Sequence, residues 1–104
     1  MMKHKRGDTF DIIATISQTV PDGYFVGWEV ASQIRDPSNR LVATLAAVWA
    51  DDTTTRNLRL TCVDTSDWPI GNLEMDMQFT NTANGHIVST STIAIKVVKD
   101  ITYA

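Results

Sequence analysis

Between Leu73 and Phe79 the chain alternates without a break: Leu73, Met75, Met77 and Phe79 are apolar, and Glu74, Asp76 and Gln78 are polar. Successive side chains of an extended strand point to opposite faces, so a period of two predicts a strand with one wet face. Asn81-Thr82-Ala83-Asn84-Gly85 then supplies turn residues, and a Ser/Thr/Ile/Val run from Ile87 to Val98 returns as the hairpin partner. The apolar phase of that run slips between Val88 and the later Ile93, Ile95 and Val97. One extra residue shifts a ladder by one step, so the slip predicts a β-bulge near Ser89–Ser91.

The same period recurs upstream. Thr9 to Ile16 reads as a strand with Phe10, Ile12, Ala14 and Ile16 on one face. After the Pro21-Asp22-Gly23 turn, Phe25 to Arg35 reads as a strand facing inward with Val26, Trp28, Val30 and Ile34. Asp36-Pro37-Ser38-Asn39 marks the next turn. Leu41 to Trp49 is rich enough in Ala and Leu for a helix, yet Leu41, Ala43, Leu45, Ala47 and Trp49 keep strand phase between two turns. Past the Asp51–Thr54 loop, Arg56 to Val63 is a strand with Leu58, Leu60 and Cys62 inward. Asp64 to Asn72 is a polar connection, in which Trp68-Pro69 turns across an end of the core. Six or seven short strands spaced about ten residues apart predict an all-β domain, a sandwich or a small β-barrel, since closing a sheet leaves its alternation unchanged. Residues 1–8 read as a short N-terminal tail and residues 9–104 as the single domain.

Composition narrows this picture. The 104 residues suffice for one domain, and 43% hydrophobic content is too high for disorder. A net charge of −3 without a basic stripe argues against nucleic acid, which needs clustered Lys and Arg to displace phosphate counterions. Ten of the twelve acids are Asp, mostly beside Gly, Pro, Asn or Thr, where their carboxylates cap turns. The lone Cys62 excludes an internal disulfide; its phase predicts a buried, inert thiol and folding in a reducing cytoplasm. Met1 to Arg6 imitates the basic start of a secretion signal, but Gly7, Asp8 and Asp11 interrupt any apolar core after it. No apolar run approaches the ~18 residues of a membrane helix.

Candidate chemistry is sparse. The only histidines are His4, placed in the tail, and His86, after the Asn84-Gly85 turn; neither adjoins a nucleophile motif, so no catalytic residue is assigned. The same scarcity leaves no zinc set, the Asp51-Asp52-Thr53 loop lacks a calcium-loop spacing, and no glycine pattern cradles phosphate, so neither metal nor cofactor is expected. Glu74 and Asp76 share a strand face, where carboxylates normally solvate the sheet and discourage aggregation. Arg6-Gly7-Asp8 reads as a turn. Trp28 and Trp49 fall on core faces. Tyr24 and Phe25, beside a turn, are the candidate partner-interface residues, with packing over the sandwich end as the competing reading.

Six segments belong together: Arg6-Gly7-Asp8-Thr9-Phe10, Gly27-Trp28-Glu29-Val30, Gln33-Ile34-Arg35, Leu41-Val42, Trp68-Pro69-Ile70-Gly71 running into Glu74–Phe79, and the close Gly85, Ile95, Val97, Asp100-Ile101-Thr102. In this combination the chain resembles small β-proteins of tailed bacteriophages and prophages, including N-terminal modules of baseplate and tail-fibre-associated proteins. The resemblance implies an immunoglobulin-like antiparallel β-sandwich and a structural, non-enzymatic role in a virion: a tail, baseplate or head–tail part. Its partners would be other virion proteins and itself as a homo-oligomer, with no nucleic acid or membrane. It would fold in the host bacterial cytoplasm and end in the particle. The alternative is a β-sandwich that binds carbohydrate or a cell-surface ligand through Tyr24, Phe25 and the loop 51–55.

Overall fold

The computed structural model describes residues 2–90 and 92–99. Eight strands and no helix occur among them: β1 (Met2–Lys5), β2 (Phe10–Thr15), β3 (Glu29–Arg35), β4 (Leu41–Trp49), β5 (Asn57–Cys62), β6 (Gly71–Thr80), β7 (Ile87–Ser89) and β8 (Ile93–Val98). They pair in the order β1-β8-β6-β3-β4-β5-β2, with β7 continuing beside β6. All pairs are antiparallel except β1 with β8. The expected all-β class is what the chain adopts.

The sheet folds over on β4. Its residues up to Leu45 pair with β3, whereas Ala46–Trp49 pair with β5. One layer therefore holds β1, β8, β6, β3 and the start of β4, and the other holds the end of β4, β5 and β2. With β2, β5 and late β4 opposite β3, β6 and β8, the connectivity follows the immunoglobulin-like Greek key. The shared strand makes the molecule nearly a barrel, left open between β1 and β2, the two ends of the sheet.

The core lies between the layers. Leu73, Met75, Met77 and Phe79 are all buried, as their alternation predicts, and they meet Ile34, Leu45, Leu58, Leu60, Ile95 and Val97. Each such side chain contributes roughly 1.5–3 kcal/mol by leaving water. Buried Ser32 donates its hydroxyl to Asp76 O at 2.8 Å, so its polar atom does not oppose that burial.

Several expectations need correction. Met2–Lys5 is not a tail: it pairs in register with Ile95–Val98 and turns Met2 toward the core. The strand count rises to eight for that reason, and because the last run divides into β7 and β8. Their ladders on β6 differ by one residue, which is the predicted slip; Thr90 fills the gap, accepting from Met77 N at 3.0 Å through Oγ1 and donating its own N–H to Met77 O at 2.9 Å. Ser91 itself lies outside the described residues, as do Asp100, Ile101 and Thr102.

Phe25–Trp28 is a turn and not the start of β3: Trp28 N donates to Phe25 O, and Gly27 takes φ 79°. Val26 consequently points to solvent. Leu41 is also exposed, because Ile34 faces Ala43 while Arg35 faces Leu41, leaving Val42 as an extra residue that turns inward.

Candidate interaction surfaces

Four regions carry the chemistry of the surface. The first is the aromatic end, where the β2–β3 connection crosses the sandwich. Phe25 is 4% exposed and stacks on Phe79 at 4.3 Å between ring centroids. Its N–H reaches Thr55 Oγ1 at 3.3 Å, and Gly23 N donates to Thr54 O at 2.7 Å, so this connection and the loop before β5 form one unit. Arg56 ties it further by donating to Val20 O and to the Asp22 carboxylate. Phe25 is thus core, which corrects its assignment to the surface. Tyr24 is 47% exposed and lies edge-on to Phe25 and tilted on Trp28, and the His86 ring lies 5.9 Å from Trp28. Neither the Tyr24–Trp28 nor the Trp28–His86 contact could be foreseen from period-two phase, because the turn at residues 25–28 creates both.

The opposite end is closed by Trp68, which packs on Phe10 and His4 as the Trp-Pro connection predicts. Fully buried Thr65 is its polar centre. Thr65 Oγ1 donates to Asp8 O at 2.6 Å, accepts from Gly7 N at 2.9 Å, and lies 3.2 Å from His4 Nε2. With its proton on Asp8 O, Oγ1 can only accept from His4, which fixes the Nε2–H tautomer. Burial lowers the His4 pKa below the ordinary imidazole value, partly opposed by Asp8. His4 and His86 therefore sit at opposite ends of β6, held in aromatic contacts. Arg6-Gly7-Asp8 forms the expected turn, with Asp8 N donating to Lys5 O and Gly7 at φ 97°.

The two outer faces differ sharply. Outside the larger layer, Glu74, Asp76 and Gln78 stand beside Gln33 and Arg35, and Lys3, Lys5 and Lys96 continue the charged surface. Arg35 is held by Gln33 Oε1 and Asn39 O, leaving the Glu74 and Asp76 carboxylates in water. Outside the smaller layer, Ile13 is 64% exposed, Val48 64% and Val63 77%. Ile13 and Val48 flank Arg59 across three strands. Arg59 in turn holds Asp11 through Nε at 2.9 Å and Nη2 at 2.5 Å, which lowers the Asp11 pKa and raises that of Arg59. Asp11 and Arg59, the charged residues that the described strands place on this face, thus neutralise each other.

The Asp-rich loops serve turns, as expected. Asp51 accepts from Thr53 N and Oγ1, and Asp64 from Ser66 N and Oγ; these hydroxyls lower both carboxyl pKa values. Asp36 is lowered by the Arg40 backbone N–H and guanidinium. No group of three or more His, Cys, Asp or Glu poised for a metal occurs among the described residues. Cys62 keeps its inward phase but is only half-buried, with Sγ 3.4 Å from Asp64 O. Compared with known proteins, the chain matches no family model and no curated sequence.

Proposed function

We propose that this chain is a non-enzymatic structural component of a tailed-phage or prophage particle, a tail, baseplate or head–tail accessory protein that works by packing against other virion proteins and against itself. The supporting observation is the contrast between the outer faces. A face carrying the exposed Ile13, Val48 and Val63 around a paired Asp11–Arg59 gains by covering its apolar side chains and leaves neither of those two charges without a partner, whereas the face of the larger layer carries the Glu74 and Asp76 carboxylates and lysines. The sequence resemblance to phage β-modules supplies the setting. The test is to express a tagged chain during particle production and band the particles on a density gradient. The tag co-migrates with particles if the reading is right and stays with free protein at the top if it is wrong.

The half-exposed cluster of Tyr24, Trp28 and His86, joined to the loop 51–55, favours a second reading, a carbohydrate- or cell-surface-binding module. Aromatic rings on a rigid loop stack on sugar faces. A glycan array separates the two: an assembly part shows no sugar preference, and a lectin-like module loses its preference when Tyr24 is replaced by Ala.

A further inference from the structure

The two ends of the sheet are built differently. At one end β1 is four residues long and carries Lys3 and Lys5, the charged, short edge that keeps strands from pairing with strangers. At the other end β2 spans Phe10–Thr15 with no proline, no lysine and no bulge, and its one charge is spent on Arg59. In an immunoglobulin-like sandwich the strand before β2 would cover this edge. Here that strand is β1, and it pairs with β8 instead.

The hydrogen-bond phase says which groups the open edge presents. Ile16 N donates to Arg56 O at 2.8 Å, and on the far side of β5 Ala50 N donates to Asn57 O at 2.9 Å. In an antiparallel ladder bonded and non-bonded pairs alternate. Phe10, Ile12 and Ala14 therefore bond to β5, and the N–H and C=O groups of Asp11, Ile13 and Thr15 point away from the sheet. The inner side of this edge is also unfinished. Ile12 and Ala14 stay half-buried, while Leu60 and Leu58, their partners one strand further in, are buried completely.

We propose that β2 pairs with β2 of a second copy of this chain, antiparallel about a twofold axis through Ile13, joining the two small sheets into one. The occupant is read from self-complementarity. With Ile13 opposite Ile13 of the second copy, Asp11 faces Thr15, Ile12 faces Ala14, and Phe10 faces Ile16. Each facing pair drawn from Asp11, Ile13 and Thr15 exchanges both of its N–H···O bonds. Apolar residues meet apolar residues on the inner side, and no like charges oppose each other. Centring the pair on Asp11 sets two carboxylates face to face, which is unfavourable; centring it on Thr15 shortens the overlap. This pairing deepens the assembly reading and rests on it for its purpose, but its geometry is tested separately.

The test uses single-cysteine variants in a Cys62→Ser background under mild oxidation. Opposed residues of a bonded antiparallel pair lie about 5.5 Å apart at Cα, within disulfide range. Ile13→Cys crosslinks to itself at least tenfold faster than Val48→Cys, which is equally exposed on the neighbouring face. Asp11→Cys and Thr15→Cys each resist crosslinking alone and crosslink when mixed. Ile13→Pro removes an outward N–H that no described residue of the monomer accepts, so it gives a monomer in sedimentation that keeps the wild-type β-sheet circular dichroism, with a melting midpoint that no longer rises with protein concentration. Self-crosslinking of Asp11→Cys, a Val48→Cys rate equal to that of Ile13→Cys, or a dimer that survives Ile13→Pro overturns the pairing. Failure of these crosslinks in a chain that is still counted in virions overturns the pairing while leaving the assembly role standing. Crosslinked dimers of a chain that never enters particles do the reverse.

Discussion

Thr65 ties its own connection to the end of β1 and the turn after it through one hydroxyl, holding Asp8 O, Gly7 N and His4 Nε2 together beside Trp68. Replacing it with Val keeps the shape and strands those partners, and a buried group left unpaired costs about 1–3 kcal/mol. Urea unfolding of Thr65→Val should show a loss in that range with an unchanged slope. His4 gives this end a pH dependence. Burial lowers its folded pKa below the unfolded value near 6.5, so folding favours the neutral ring. The associated stability is fully present above the unfolded pKa and is lost as the pH falls through the folded pKa. Wild type should therefore lose stability relative to His4→Gln as the pH drops from 7.5 to 5; a difference that stays constant contradicts this. Little of this centre was legible in the sequence. Trp68 announces an end cap through its proline, but Thr65 and His4 are 61 residues apart and neither breaks a pattern. Phe25 illustrates the reverse error: a residue beside a turn signal looks exposed until the turn folds back over Phe79.

At the scale of elements, strict alternation was readable and single-residue insertions were only partly so. β6 is legible in full because every second residue is apolar. The slip between β7 and β8 shows in the sequence because apolar residues on both sides fall out of phase. The Val42 bulge does not, since Leu41 and Val42 are both apolar and either could face inward. β1 was missed because its pattern is Met-Lys-His-Lys, where only Met2 reads as a core residue. Its lysines explain why it can end the sheet safely. Replacing Lys3 and Lys5 with Val removes that protection while leaving Met2 and His4 in place. The double variant should raise light scattering at concentrations where wild type stays clear, and an unchanged signal would show that charge does not guard this edge.

For the whole molecule, period two gave the class and left closure open, because sandwich and barrel share one alternation. The structure falls between them, with β4 serving both layers. What period two could not show is that the outward residues differ so much between layers: acids, lysines and glutamines on one face, Ile13, Val48 and Val63 on the other. That contrast appears only once topology groups the strands, and it is the physical basis for reading the chain as a part that others pack against. Mass spectrometry of purified particles, counting this chain against the major capsid protein, tests that reading most directly. A role in the virion predicts a small fixed copy number, such as about six or twelve per particle, which closed symmetry with twofold-paired copies allows. Particles that lack the chain while the lysate holds it in abundance would contradict the account.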